Sequence, residues 1–250
     1  MKGIGKTEGG LSYPPLNDSG RSRPLSLSPS AEDVFAAPAK ELFLGPGNIV
    51  DVHARHLPHW QQGKLVYFVT WHTADALPGD KLDELREEKM LWLARHPKPW
   101  DIDTEEEYHD HFTHRTDKWL DAGHGACALR DADLAQIVTD SLLFFDGHRY
   151  DMASFVVMPN HVHALFRLHE SKRLEQVIKT WKGYTARAIN TCLGRRGVFW
   201  QDEYWDRVVR SDMHFARYWE YIRENPARAK VREGEFFYYA VNATDESLEE

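Results

Sequence analysis

Residues 149–168 read RYDMASFVVMPNHVHALFRL and contain two apolar, β-branched runs with a turn between them. The runs Arg149–Val157 and His161–Leu168 are each typical of a strand, and Met158-Pro159-Asn160 is typical of a tight turn. The stretch therefore predicts a β-hairpin, around which the rest of the fold is assembled.

The second strand of this hairpin has two chemically different faces. Side chains alternate along a strand, so His161, His163, Leu165 and Arg167 share one face. The opposite face is wholly apolar and suits packing against helices (Val162, Ala164, Phe166 and Leu168). Because histidine is the commonest metal ligand, the pattern predicts that His161 and His163 form a metal-binding pair. A pair of partly buried, hydrogen-bonded histidines would give the same pattern.

The segments around the hairpin predict further strands and helices. A strand is predicted at Leu65–Trp71, a short strand or loop at Phe199–Val209, and an edge strand at Phe236–Val241. One helix is predicted from Asp131 or Asp133 to Phe145, and another from Lys172 to Cys192. Without the last helix and an acidic insertion, the order is strand, helix, strand, strand, helix, strand. This order predicts an α+β, ferredoxin-like (RRM-like) antiparallel sheet. Such a sheet carries its helices on one face and leaves the other face free for a site.

A last helix is predicted from Asp212 to Glu224, because proline disfavours a helical conformation at Asn225, the residue before Pro226. Tyr221 lies off the apolar stripe of this helix and is a neighbour of Asn225, four residues away. A phenol has a pKa of about 10 and is a weak nucleophile, but it can attack a phosphodiester when a cation offsets the developing charge. We therefore predict Mg²⁺ or Mn²⁺ held by His161, His163 and Asn225 beside Tyr221. The alternative for Tyr221 is an ordinary surface aromatic.

Composition divides the chain into a central domain and two tails. Residues 1–45 are rich in Gly, Ser and Pro, which predicts a disordered tail. The domain is predicted at residues 52–241, with an acidic helical insertion at residues 80–121, and residues 242–250 form an acidic tail.

Several classes of protein are excluded by composition. No apolar run approaches the roughly 20 residues that span a bilayer, so no membrane partner is predicted. The N-terminus lacks the apolar segment of a secretory signal. Two cysteines cannot build a disulfide framework, which favours the reducing cytoplasm.

Charge is segregated along a chain whose formal net charge is −8. Residues 171–232 contain 14 basic and 7 acidic side chains, so this segment is positive within an acidic protein. Basic side chains interleaved with aromatic ones are typical of single-stranded nucleic-acid binding, although a solvated helix face would also be charged. The predicted DNA-binding residues are Lys172, Lys179, Lys182, Arg187, Arg195, Arg196, Arg207, Arg210, Trp200 and Tyr204.

Five blocks of the chain, in the same order, resemble the REP-associated tyrosine transposases of the single-tyrosine HUH transposase superfamily. The blocks are Tyr67–Pro78, Val156–Leu165, Trp181–Asn190, Phe199–Arg207 and Tyr221–Pro226. The second block carries the two histidines of the HUH motif, and the last carries the tyrosine. The resemblance extends from about Leu57 to Lys230.

The resemblance implies a metal-dependent single-strand or hairpin DNA endonuclease and strand transferase that acts on short palindromic repeats (REP elements). It implies that Tyr221 attacks the scissile phosphate to form a 5′-phosphotyrosine, and that His161 and His163 are metal ligands. Asn225 stands where related transposases use a glutamine as the third ligand. Family members act as monomers or homodimers, and such a protein would work in the cytoplasm at the nucleoid.

The chain departs from the family in its N-terminal tail, in its acidic insertion, and at His72, where an arginine is expected. Two other functions stay open. One is a non-catalytic DNA-binding module for palindromic repeats. The other is a zinc hydrolase built on the histidines between His109 and His114, of which His111 and His114 share a helix face.

Overall fold

The computed structural model describes residues 51–54, 58–61, 65–97 and 100–241. The predicted N-terminal tail, residues 1–45, and the predicted acidic tail, residues 242–250, lie outside the described residues. The boundaries predicted for the domain therefore stay predictions.

The described residues form seven strands and six α-helices. In chain order they are β1 (Asp51–Ala54), β2 (Pro58–Gln61), β3 (Val66–His72), α1 (Gly79–Arg95), α2 (Ile102–Tyr108), α3 (His114–Asp121), α4 (Ala132–Leu143), β4 (Tyr150–Val157), β5 (His161–Leu168), α5 (Leu174–Cys192), β6 (Trp205–Val208), α6 (Asp212–Arg228) and β7 (Phe237–Ala240). A π-helical segment, His109–Thr113, joins α2 to α3.

The main sheet has five antiparallel strands in the order β6-β3-β5-β4-β7, and β1 pairs with β2 in a separate two-stranded sheet. β5 lies between β3 and β4, the strands that precede and follow α4, as a split βαβ unit requires. The predicted α+β class and antiparallel sheet are confirmed. The predicted edge strand is also present, because β7 pairs with β4.

The predicted hairpin and helix start have the expected local chemistry. The Met158 N–H donates to the carbonyl of His161 at 2.8 Å and closes the β4–β5 turn. Asp131 is the N-cap of α4, and its carboxylate accepts from the backbone N–H groups of Asp133 and Leu134. Of the two aspartates predicted as caps, Asp131 therefore fills the role.

One face of the sheet packs against α4 and α5 in the larger core. Trp181 of α5 is fully buried there, its ring lies 5.8 Å from that of Trp71, and its indole N–H donates to the Tyr150 hydroxyl at 2.9 Å. The alternate side chains of β5, including Val162 and Phe166, line the same core. The face predicted as wholly apolar is therefore the helix-packed face.

We predict that Trp181→Ala lowers the free energy of unfolding by about 3–5 kcal/mol, because it removes a large buried ring together with the hydrogen bond that the Tyr150 hydroxyl oxygen accepts from the indole. Urea unfolding followed by fluorescence measures the change. Exposed Leu193 is the control, since Leu193→Ala should change the free energy of unfolding by less than about 0.5 kcal/mol. Similar losses in the two variants would contradict the assignment of Trp181 to the core.

The second face of the sheet is covered, which corrects the prediction that it is free. Phe68, Val156 and Leu165 on this face pack against Ile222 of α6 in a second, smaller core. The apolar stripe of α6 needs a partner surface, and this face of the sheet supplies it. As a result, His161 and His163 are 1% and 0% exposed.

The last helix was predicted to end at Glu224, before Pro226. In the structure it extends to Arg228. Proline lacks one backbone N–H, so near the end of a helix it removes a single hydrogen bond. The helix continues past it, because Ala229 N–H still donates to the Asn225 carbonyl at 2.9 Å. Tyr221 and Asn225 therefore lie one turn apart on the same continuous helix.

The acidic insertion is helical, as predicted, and packs beside the edge strand β6. The ammonium group of Lys89 on α1 is buried and lies 5.1 Å from the ring centre of Trp205. The rings of Tyr108 and Phe112 lie 5.9 and 5.8 Å from the same ammonium group. Burial lowers the pKa of Lys89 to about 8.

Lys89 gives a pH-dependent contribution to stability. Between pH 8 and pH 10.5 the unfolded chain binds a proton at this side chain that the folded protein does not, so folding becomes more favourable as the pH rises. We predict that wild type gains up to about 3 kcal/mol of unfolding free energy relative to Lys89→Met across this window. Urea unfolding of both proteins at several pH values measures the difference. A difference that stays constant with pH would contradict the prediction.

Candidate metal and nucleophile site

The hairpin turn fixes the tautomer of His161. The side-chain nitrogen of Asn160 donates to the carbonyls of Leu120 and His124 at 3.2 and 3.1 Å, so the amide oxygen of Asn160 is its acceptor side. That oxygen lies 2.8 Å from His161 Nδ1, which must therefore donate the proton. Nε2 of His161 is left as an unprotonated acceptor, buried and without a hydrogen-bond partner.

His163 is held in a similar way from the neighbouring strand. Thr70 of β3 pairs with His163 across the sheet, and its hydroxyl lies 2.7 Å from His163 Nδ1. Nε2 of His163 is buried without a hydrogen-bond partner. The ring centres of His161 and His163 are 4.7 Å apart, so the predicted pair does lie together on one face.

Burial keeps both imidazoles neutral. It lowers the pKa of His161 to about 3, and the nearby His72 acts in the same direction, whereas the Asn225 side chain opposes the shift. Burial also lowers the pKa of His163 well below its ordinary value, as does the proximity of His161. A neutral imidazole is the form that binds a metal, so neither ring must lose a proton first.

Asn225 and Asp121 complete the cluster. Asn225 is fully buried, its amide nitrogen donates to Asp121 Oδ1 over 3.5 Å, and its amide oxygen has no hydrogen-bond partner. Asp121 Oδ1 also lies 4.0 Å from His161 Nε2. Burial raises the pKa of Asp121 to about 6, opposed by the positive charge of Arg228.

Tyr221 lies beside His163 in the same chain. The centres of the two rings are 5.2 Å apart, and the Tyr221 hydroxyl is buried. Burial raises the pKa of Tyr221 above its ordinary value, and the charge of Asp117 raises it further, whereas Arg228 lowers it. Burial in turn raises the pKa of Asp117 to about 7.

The chemistry of these atoms fits a divalent cation. Buried polar atoms almost always have a hydrogen-bond partner, yet His161 Nε2, His163 Nε2 and the Asn225 oxygen have none. Two neutral imidazoles and an amide oxygen can bind a cation without cancelling its charge. Within the described residues no group of three or more His, Cys, Asp or Glu side chains is arranged to hold a metal, and the third ligand of the predicted set is an amide oxygen.

Two cavities adjoin the cluster. The larger, of about 360 Å³, lies between the acidic insertion, β6 and α6, and Tyr221 and Asp117 are in its wall together with Arg207, Arg217 and Arg228. The smaller, of about 140 Å³, is lined by His161 and Asp121. The site is therefore reached from the side that the acidic insertion forms.

Among the predicted DNA-binding residues, Arg207 lines the same cavity as Tyr221, and its guanidinium lies 5.9 Å from the ring centre of Tyr218. Arg210 lies near His109, which lines the same cavity. Burial lowers the pKa of His109, and the positive charges of Arg207, Lys89 and Arg210 lower it further. Lys179 and Arg187 line a shallow groove on the outer side of α5, on the opposite face of the sheet.

The other basic residues of the prediction do not gather at the cavity. Lys182 donates to the carbonyls of Gln201 and Asp202 at 2.7 and 2.6 Å and so supports the loop before β6. Arg195 donates to Asn190. Lys172 precedes α5 and Arg196 follows it, and neither lines the larger cavity.

Trp200 and Tyr204 are wrong as base-stacking platforms. They are 4% and 6% exposed, and the Trp200 indole N–H donates to the Thr185 hydroxyl at 2.8 Å inside the core. A ring whose faces are covered by protein cannot stack on a base. His72, the expected arginine position, is similarly 1% exposed and stacks on Trp205.

The histidines of the zinc alternative are used separately. His109 Nδ1 lies 3.1 Å from the Thr113 hydroxyl, and His111 Nε2 lies 3.8 Å from the Glu88 carboxylate. His114 lines the larger cavity. No metal-binding group of His, Cys, Asp or Glu includes them in the part of the chain that the structure describes.

Six residues of the site were not predicted from the sequence. Four belong to the cluster (Asp117, Asp121, Asn160 and Thr70), and two are arginines in the wall of the larger cavity (Arg217 and Arg228). One signal was available, because Asp117 and Asp121 have the same four-residue spacing as Tyr221 and Asn225. Within an acidic, charged helix that spacing has no special meaning until the helix is known to pack on α6.

Comparison with known proteins agrees with the motifs. Residues 142–225, which include β4, β5, α5, Tyr221 and Asn225, match the model of the family described as IS200-like transposases. The match confirms the resemblance found in the sequence and supports a DNA-processing function of the transposase type. No curated protein matches the chain.

Two solved structures are similar to this one at low identity. A REP-associated tyrosine transposase bound to a REP hairpin is 13% identical, with 70% of this chain and 74% of that chain covered and a TM-score of 0.38. A candidate transposase from Deinococcus radiodurans R1 is 18% identical, with 66% and 93% covered and a TM-score of 0.28. No helix among the described residues is long and apolar enough to cross a membrane.

Proposed function

We propose that this protein is an HUH-type endonuclease and strand transferase that acts on single-stranded or hairpin DNA through a phosphotyrosine. One observation carries the proposal. Tyr221 contacts His163 in the same chain, beside three buried atoms that could bind a metal and have no hydrogen-bond partner: His161 Nε2, His163 Nε2 and the Asn225 oxygen. Because the tyrosine and the histidines belong to one subunit, the reaction does not need an exchanged helix. A monomer suffices, and we place its action in the cytoplasm at the nucleoid.

Mg²⁺ or Mn²⁺ would be held by His161 Nε2, His163 Nε2 and the Asn225 oxygen, and when bound would polarise the scissile phosphate and offset its developing charge. The protein supplies the remaining steps. Thr70 and Asn160 orient the imidazoles through their Nδ1 atoms. α6 holds Tyr221 one turn from Asn225, so the nucleophile lies beside a residue that would hold the cation.

Tyr221 would attack the phosphorus and the bond to the 3′-oxygen would break. A 5′-phosphotyrosine would form, and the departing 3′-oxygen would take a proton from water to become a free 3′-hydroxyl. The phenolic proton has an acceptor in Asp117, whose pKa of about 7 suits a general base at neutral pH. For joining, a 3′-hydroxyl would give its proton to water and attack the same phosphorus, and the departing Tyr221 oxygen would regain its proton from Asp117.

The larger cavity fits the path of an unpaired strand toward Tyr221. Arg207, Arg217 and Arg228 line it and can neutralise the phosphates of a flexible backbone. The resemblance of the motifs to the REP-associated family names short palindromic hairpins as the substrate class.

The test is a covalent adduct between the protein and DNA. A hairpin oligonucleotide with a single-stranded flank is labelled at its 3′ end in one sample and at its 5′ end in another, and each is incubated with protein and Mn²⁺. The 3′ label should migrate with denatured protein, and the 5′ label should appear on a shorter free strand. A chelator should remove both signals. Absence of the adduct over a panel of hairpins with Mn²⁺ present would overturn the proposal.

One observation favours the non-catalytic module as a second candidate. Burial and the neighbouring carboxylates raise the pKa of Tyr221, which disfavours the phenolate that attacks. That module would bind hairpins in a salt-sensitive way, with an affinity that neither metal nor His161→Ala changes.

A further inference from the structure

Two residues of the acidic insertion lie opposite two residues of α6 that have the same spacing. Asp117 and Asp121 lie one turn apart on α3, and Tyr221 and Asn225 lie one turn apart on α6. Asp117 lies beside Tyr221 in the wall of the larger cavity, and Asp121 accepts the hydrogen bond of the Asn225 amide. The insertion therefore contributes two carboxylates to the site.

We propose that Asp121 is a positioning residue that orients the Asn225 amide so that its oxygen faces the cation. This inference rests on the proposed function, because it concerns the third ligand of the proposed metal site, the Asn225 oxygen. Its subject is a residue outside the segment that matches the transposase family.

An asparagine amide has two ends of nearly equal shape and opposite function. Only the oxygen can bind a cation, because the nitrogen carries two hydrogens. An ionised carboxylate only accepts hydrogen bonds, so Asp121 selects the orientation in which the nitrogen points toward it and the oxygen points away. The oxygen is the end that is buried without a partner, as this orientation requires.

The same end of the insertion orients a second amide. The carbonyls of Leu120 and His124, on either side of Asp121, accept both hydrogens of Asn160 and turn its oxygen toward His161 Nδ1. Both amides of the site are therefore set by the segment 120–124, one through a side chain and one through the backbone. This gives the insertion a role at the metal site.

Asp121 could instead act through its charge or bind the cation directly, since its oxygen lies 4.0 Å from His161 Nε2. These roles differ from positioning in how they depend on Asn225. A carboxylate at position 225 presents an oxygen in either orientation and needs no partner to orient it. With a carboxylate at position 225, removing Asp121 should change the metal affinity little if positioning is its role. If Asp121 acts as a ligand or through its charge, the loss of affinity should be as large as with Asn225 present.

The experiment is a double-mutant cycle of Mn²⁺ affinity, measured by calorimetry on the full chain without DNA. Asp121→Leu should weaken binding by about 10- to 100-fold, the range found when the residues that orient metal ligands are lost. In the Asn225→Asp background, Asp121→Leu should weaken binding by less than about threefold. Asp83→Asn, an exposed acid of the same insertion, is the control and should bind as wild type does.

Two results would overturn the inference. One is an Asp121→Leu variant that binds Mn²⁺ as wild type does, and the other is an equal loss in both backgrounds. Circular dichroism checks the fold, and Asp121→Asn replaces the leucine variant if that protein unfolds. If wild type binds no Mn²⁺, this inference and the proposed metal site fall together. If wild type binds Mn²⁺ and His163→Ala does not, a missing DNA adduct contradicts only the proposed function.

Discussion

The Tyr221→Phe variant is expected to form no covalent adduct with hairpin DNA, because phenylalanine has no oxygen to attack the phosphorus. Losing the nucleophile of an enzyme that works through a covalent intermediate costs on the order of 10⁶-fold in rate, so the signal should fall below detection. The variant should fold at least as well as wild type. The Tyr221 hydroxyl is a buried polar group beside the Asp117 carboxylate, and its removal lowers the cost of burying polar atoms on folding.

Tyr218, one turn before Tyr221 on α6, provides the comparison. Its ring stacks on Phe68 with the ring centres 4.4 Å apart, so Tyr218→Phe keeps the packing and should keep the adduct. Denaturing gels with 3′-labelled hairpin measure both variants. An undiminished adduct in Tyr221→Phe, or a loss confined to Tyr218→Phe, would assign the nucleophile elsewhere.

The sheet and its helices could be predicted because their signals are local. The hairpin follows from two β-branched runs around Met158-Pro159-Asn160, and the shared face of His161 and His163 follows from the alternation of side chains along a strand. The helix in α5 and the burial of Trp181 follow from its apolar stripe. These features depend on neighbours in the sequence.

The parts that could not be predicted depend on contacts between distant segments. Burial of the histidine face requires knowing that α6 packs on it, and the role of Asp121 requires knowing that α3 lies against Asn225, which is 104 residues away. Trp200 and Tyr204 have the composition of a binding surface, and only the position of α5 shows that they are buried. The predicted end of α6 at Glu224 was wrong, because the preference of the residue before a proline for a non-helical conformation is weak compared with the packing along α6.

The His163→Ala variant is expected to lose both metal binding and the metal-dependent adduct. It removes one of the two buried imidazoles, and metal stabilisation of a phosphoryl oxygen contributes several kcal/mol, so adduct formation should fall by about 10³-fold. In the wild type, Mn²⁺ at about 100 times its Kd should stabilise the fold by about 2.7 kcal/mol, which raises Tm by roughly 5–10 °C for a chain of this size. In the variant this shift should vanish.

His111→Ala separates this site from the histidines of the insertion. His111 is exposed and lies beside Glu88, so its loss should leave both the Mn²⁺-dependent rise in Tm and the adduct as in wild type. Thermal unfolding with and without Mn²⁺ reports metal binding independently of cleavage. If the rise in Tm persists in His163→Ala and vanishes in His111→Ala, the cation binds in the insertion, and the buried imidazoles of β5 are hydrogen-bonded core residues. If it vanishes only in His163→Ala, the unpaired nitrogens of the sheet face are explained by the ion that they bind.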